Sequence, residues 1–126
     1  MLCVCSMSCT DDKVVIPNNI KGSWKCEDYS SFTGNRIYMV DIARSKNDTT
    51  MYLLSNFNNE NVDLFVFAHL KKSILTIDPL QQIIGTQTVI KSGTGTVSSN
   101  LAKINLSYII YNGLSDITIQ SVYTRP

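Results

Sequence analysis

From Gly22 onward, apolar and polar residues alternate with a period close to two. Successive side chains of an extended strand point to opposite faces, so this period predicts half-buried strands. A helix would repeat its apolar positions every three or four residues. Short runs of β-branched and aromatic residues predict strands at 22–28, 36–43, 49–56, 62–70, 74–78, 82–91, 94–98, 102–111 and 115–123. Between them stand turn-forming clusters: Thr33-Gly34-Asn35, Lys46-Asn47-Asp48, Asn58-Asn59-Glu60-Asn61 and Asn112-Gly113. Asn-Gly favours a two-residue type I′ hairpin, so strands adjacent in sequence are expected to be antiparallel neighbours in space.

Alternation also assigns faces. Ile104, Leu106, Tyr108 and Ile110 share one side of their strand, Lys103, Asn105 and Ser107 the other, and Ile117, Ile119 and Tyr123 continue the buried side. The second strand divides Ile37, Met39 and Asp41 from Tyr38, Val40 and Ile42. The fourth divides Leu64, Val66 and Ala68 from Phe65 and Phe67 and is apolar on both faces, which points to a central position, a covered outer face or a partner surface. The pattern predicts an all-β fold: an antiparallel up-and-down meander of eight or nine strands, closing as a small barrel or splitting into a two-sheet β-sandwich.

Two places at the ends of the meander tip that balance. Ile20-Lys21-Gly22-Ser23-Trp24 opens the first strand and Arg125 follows the last. The opening resembles the G-x-W signature of the lipocalins and their calycin relatives, in which a basic side chain from the final strand packs over the tryptophan of the first. The resemblance implies a lipocalin-like barrel with Gly22, Trp24 and Arg125 closing one end, the cation over the indole contributing about 0.5–2 kcal/mol. Read without it, Trp24 is a core residue. The whole chain is similar to small lipocalin-like lipoproteins of Bacteroidetes.

A length of 126 residues suits one domain. With a formal charge of +1 and no block of like sign, the chain lacks the electrostatic footprint of a nucleic-acid binder. No apolar run approaches the roughly 20 residues of a membrane-spanning helix, and the strands are too short and few for an outer-membrane barrel. Membrane contact would have to come from an anchor.

The N-terminal residues suggest one. Cys3, Cys5 and Cys9 lie in a stretch whose first eight residues are apolar or small, as at the end of an export signal. Ser6-Met7-Ser8-Cys9 resembles a bacterial lipobox, and Cys9-Thr10-Asp11-Asp12 resembles the cysteine-plus-acid start of mature Bacteroidetes lipoproteins, where such acids accompany export to the cell surface. Residues 1–8 are therefore read as a signal remnant, Cys9 as the lipidated residue, 9–19 as a tether and 20–126 as the barrel domain. Acyl chains buried at about 0.8 kcal/mol per methylene would hold the domain on the lipid bilayer of the outer membrane, at the cell surface or the periplasmic face. The competing reading joins Cys26 to the three N-terminal cysteines as a zinc site. Structural zinc favours C-x2-C pairs instead, so no metal or cofactor is expected and Cys26 is read as a free buried thiol.

Catalytic motifs are not evident. His69 has no Cys, Asp or Glu at metal-ligand spacing, no G-x-S-x-G elbow occurs, and Gly93-Thr94-Gly95-Thr96 lacks the G-K-[ST] of a phosphate loop, so its glycines suit a bend or bulge. Asp41, Asp63 and Asp78 are read as solvated positions and not as a glycosidase pair. Asp48-Thr49-Thr50 resembles the short Bacteroidetes O-glycosylation signal, and Asn47-Asp48-Thr49 overlaps it as an N-glycosylation sequon.

The chain is thus read as a non-enzyme with one of two functions. A binding module would hold a small apolar ligand or glycan in the barrel's interior or open end. An interaction protein, such as an accessory subunit, an adhesin-like protein or a protease inhibitor, would dock a protein partner through 62–70, Tyr29 and Phe32. An apolar void of about 300 Å³ favours the first; a packed interior with an exposed apolar patch favours the second.

Overall fold

Side-chain alternation builds nine strands in the computed structural model, which describes residues 19–77, 82–84 and 88–126. They are β1 (Gly22–Ser30), β2 (Gly34–Arg44), β3 (Met51–Ser55), β4 (Phe65–Lys71), β5 (Ile74–Ile77), β6 (Gln82–Ile83), β7 (Val89–Val97), β8 (Lys103–Tyr111) and β9 (Asp116–Thr124). A 3₁₀ turn, Phe57–Asn59, interrupts the connection from β3 to β4. Sequence-adjacent strands pair antiparallel from β1 to β5 and from β7 to β9.

Two further ladders close the sheet on itself. Cys26 of β1 faces Tyr123 of β9, and Leu75 of β5 faces Gly95 of β7. Each strand of this eight-membered ring is paired on both sides, whereas a two-sheet sandwich would leave edges. The fold is a closed antiparallel barrel of lipocalin-like architecture, with β6 added along the upper part of β7 through Gln82↔Ile90 and Ile83↔Val89. The Gln82 carboxamide also accepts from the Phe67 main-chain N–H at 2.8 Å and donates to its carbonyl at 3.0 Å, standing in for a strand's peptide group.

One parity of each strand points inward. Ile104, Leu106, Tyr108 and Ile110 of β8 are buried, as alternation predicts, and so are Tyr38, Val40 and Ile42 of β2 and Val66 and Ala68 of β4, each set on one face of its strand. Phe65 and Phe67 lie on the outer wall. Trp24, Leu54, Phe57, Tyr108 and Tyr123 fill much of the interior.

Three local expectations change. Strands 82–91 and 94–98 become the two-residue β6 and one long β7, with a bulge between Ile90 and Ser92. Gly93 and Gly95 do not end a strand; they thin β7 where neighbours press on it. A Cβ on Gly93 would stand 2.6 Å from Ile77 Cγ1, and one on Gly95 would strike the Asn105 carbonyl. The fourth strand, expected at 62–70, starts at Phe65, because Asn61 Oδ1 accepts from Asp63 N–H and holds the preceding residues in a turn. Asn112-Gly113 does not form a two-residue hairpin, since Tyr111 faces Asp116 across a four-residue loop. Asn112 Oδ1 accepts from the N–H groups of Leu114 and Ser115, a register that sets Ile110 against Ile117 inside the barrel.

Candidate functional site

The first strand supplies both ends of the interior. Trp24 lies near its start, and its Nε1–H donates to the Ile20 carbonyl at 2.9 Å. Arg125 lies over the indole, its guanidinium carbon 4.2 Å from the ring centroid. The same guanidinium donates to the main-chain carbonyls of Asn19, Lys21 and Leu101. Gly22, at φ +134°, makes room for it: a Cβ there would sit 2.9 Å from Arg125 Nη1. Gly22, Trp24 and Arg125 thus meet at one end, and partial burial lowers the Arg125 pKa.

Four residues further along β1, roughly 13 Å at a strand's rise, the same inward face carries Asp28. Its exposure is 0%. Asp28 Oδ1 accepts from Ser121 Oγ and from Cys26 Sγ at 3.2 Å; Oδ2 accepts from Tyr38 Oη and Arg36 Nη2, each at 2.6 Å. Four donors on two carboxylate oxygens are what a buried charge requires.

The 3₁₀ turn covers this cluster. Phe57 packs against Tyr108 with ring centroids 4.5 Å apart and planes tilted by 52°, and Asn58 is buried beside it. Asn58 Oδ1 accepts from Arg36 Nη2 at 2.6 Å and from Tyr108 Oη at 2.8 Å, its main-chain carbonyl accepts from Arg36 Nη1 at 3.2 Å, and its Nδ2 donates to Glu60 at 3.0 Å. Asn56, Asn58 and Asn59 all hold left-handed φ angles of 57–63°, a conformation asparagine adopts more readily than other non-glycine residues. Two buried polar atoms in this region, Arg36 Nε and Tyr123 Oη, have no hydrogen-bond partner among the described residues.

Burial dominates the proton equilibria here. It pushes the Cys26 thiol up to about 12, with the Asp28 charge adding to the effect. Burial likewise raises Tyr38, Tyr108 and Tyr123 well above the ordinary phenol value, and each is raised further by Asp28. These groups therefore stay protonated at neutral pH, and the cluster offers hydroxyl and guanidinium donors around one carboxylate.

Other residues singled out in the sequence lie apart. His69 is on β4 with Nδ1 3.4 Å from Thr50 Oγ1 and 4.0 Å from Asp48 Oδ2. Asp41 accepts from Ser23 Oγ on the outer wall, and Asp63 is exposed in the loop before β4. Hydrogen bonds from Thr50 lower the Asp48 pKa, and Thr49 is exposed beside it. Cys26 is a free buried cysteine. Among the described residues no group of three His, Cys, Asp or Glu side chains is placed to hold a metal. Asp78, Cys3, Cys5, Cys9 and the readings of residues 1–18 lie outside the described residues.

The outer wall shows two further features. Cavities of about 290 and 300 Å³ open over β7, β8 and β9 and share Thr94 and Ser107. Phe65 and Phe67 are 48% and 41% exposed, Ile83 on β6 is 67% exposed, and Tyr29 and Phe32 are also on the surface.

Sequence reading missed the buried cluster, although a signal existed: Asp28 shares the parity of Trp24 and Cys26, and Ser121 that of Ile119 and Tyr123. In comparisons with known proteins, the chain matches no family model and no curated protein sequence.

Proposed function

We propose that this chain is a binding module of the bacterial cell envelope, a lipocalin-like lipoprotein held on the outer membrane through acylated Cys9, with the Asp28–Arg36 end of its barrel as the recognition site. The observation that carries this reading is the ion pair, at 2.6 Å, between fully buried Asp28 and partly buried Arg36 in an otherwise largely apolar barrel. Desolvation makes such a pair a poor stabiliser compared with apolar side chains of the same volume, so its presence favours a recognition role over a purely structural one. The ligand is a polar group or glycan, since large side chains occupy the apolar part of the interior. Geometry is consistent with the anchor. The chain reaches β1 at Asn19, beside Arg125, so a tether would leave the barrel at the Trp24 end and the Asp28 end would face away from the membrane.

The second reading, docking of a protein partner on a packed barrel, is favoured by exposed Phe65, Phe67 and Ile83. Native mass spectrometry of the full-length precursor expressed in a Bacteroidetes host tests both. The expected result is a triacylated chain beginning at Cys9 and retaining a small polar molecule. An unmodified chain beginning at Met1 and carrying zinc would sink the envelope reading, and an acylated chain recovered only with a protein partner would favour the second.

A further inference from the structure

The mouth of the barrel is filled by a group that looks like a ligand. Asn58 belongs to no strand, yet its carboxamide oxygen receives two donors and its N–H₂ meets a carboxylate, Glu60. It is held there by a segment with left-handed residues at Asn56, Asn58 and Asn59, whose one deeply buried apolar side chain is Phe57. Beside it, Arg36 Nε is buried without a hydrogen-bond partner among the described residues.

We propose that residues 56–60 form a displaceable plug, and that the site beneath takes a neutral carboxamide group in place of the Asn58 side chain. This rests on the mouth being the recognition site. Arg36 and Tyr108 supply the donors to the incoming carbonyl oxygen, and the Tyr108 ring, freed of Phe57, supplies a face for the ligand's apolar part. Charge selects neutrality. The Arg36 guanidinium is already met by Asp28 at 2.6 Å, so a carboxylate entering the site would approach Asp28 and Glu60, while a cation would approach Arg36. An acetamido sugar and an asparagine-bearing peptide both carry the required group.

Isotope-edited NMR titration of the full chain tests this with four probes: N-acetylglucosamine, a Gly-Asn-Gly tripeptide, glucose and acetate. N-acetylglucosamine or the tripeptide is expected to shift the main-chain signals of 56–60, and which one does so identifies the ligand's source. Asn58→Gly, which tolerates the left-handed backbone, should bind the active probe about tenfold more tightly, because the internal competitor is gone. In the Asn58→Gly background, where no internal competitor shares that donor, Tyr108→Phe should weaken it by about tenfold through loss of one donor. Glucose and acetate should leave the mouth unchanged. Should either control move these signals as strongly as the amides, the carboxamide assignment falls while the mouth remains a binding site. Silence of the mouth toward all four probes in Asn58→Gly overturns both.

Discussion

Asp28 carries a charge into the barrel, and its cost is offset by the Arg36 cation and three neutral donors. Removing half of a buried pair strands the other half, whereas removing both leaves only a packing problem. Asp28→Asn is accordingly expected to destabilise the fold by about 3 kcal/mol. Combining Asp28→Leu with Arg36→Met should cost less than that single substitution, as read from urea midpoints at constant slope. An equal or larger loss in the double variant would mean that the pair stabilises the barrel by itself. At this scale the sequence was partly legible. A polar residue on an inward parity marks Asp28 and Ser121, and the β1–β2 register sets Asp28 opposite Arg36. Nothing local announces that Asn58 folds back over them, because its position depends on three left-handed residues in what reads as a surface turn.

Among the elements, β7 departs most from what its residues suggest. Glycines at 93 and 95 read as interruptions, yet the strand runs through them because β5 and β8 approach too closely for side chains. Gly95→Ala is predicted to cost about 2 kcal/mol, the usual scale of forced overpacking, and to loosen the β5–β7 closure where Gly95 faces Leu75. Hydrogen exchange on Leu75 and Leu106 would report it, and unchanged protection with unchanged stability would refute the close-approach account. The regular strands were legible because period two survives burial: Tyr38, Val40 and Ile42 point inward and Ile37 and Met39 outward, as their alternation indicates. Closure into a barrel was not legible from alternation, which left a two-sheet sandwich open; it was read from Gly22-Ser23-Trp24 and Arg125. Loop length at Asn112-Gly113 was not legible, since inward pairing of Ile110 with Ile117 overrides the local turn preference.

For the molecule as a whole, the buried phenols and thiol tie stability to alkaline pH. The neutral form of Cys26 is favoured in the folded state, whose pKa of about 12 exceeds the ordinary 9.0, and Tyr38, Tyr108 and Tyr123 are shifted in the same direction. The unfolded chain therefore releases these protons first. Their contribution is complete below about pH 9 and is lost as pH rises beyond it. A near-ultraviolet titration should show Tyr38, Tyr108 and Tyr123 ionising only together with loss of the barrel's circular dichroism; ionisation of all tyrosines before unfolding would contradict their burial. The Arg125 clamp has a mechanical consequence at this same scale. Its guanidinium joins the last residues of the domain to Asn19 and Lys21, where the chain enters β1. A pull on Asn19 is thus shared at once between the first and last strands of the barrel, and β1 then resists it in shear against β2 and β9 without unzipping from one side.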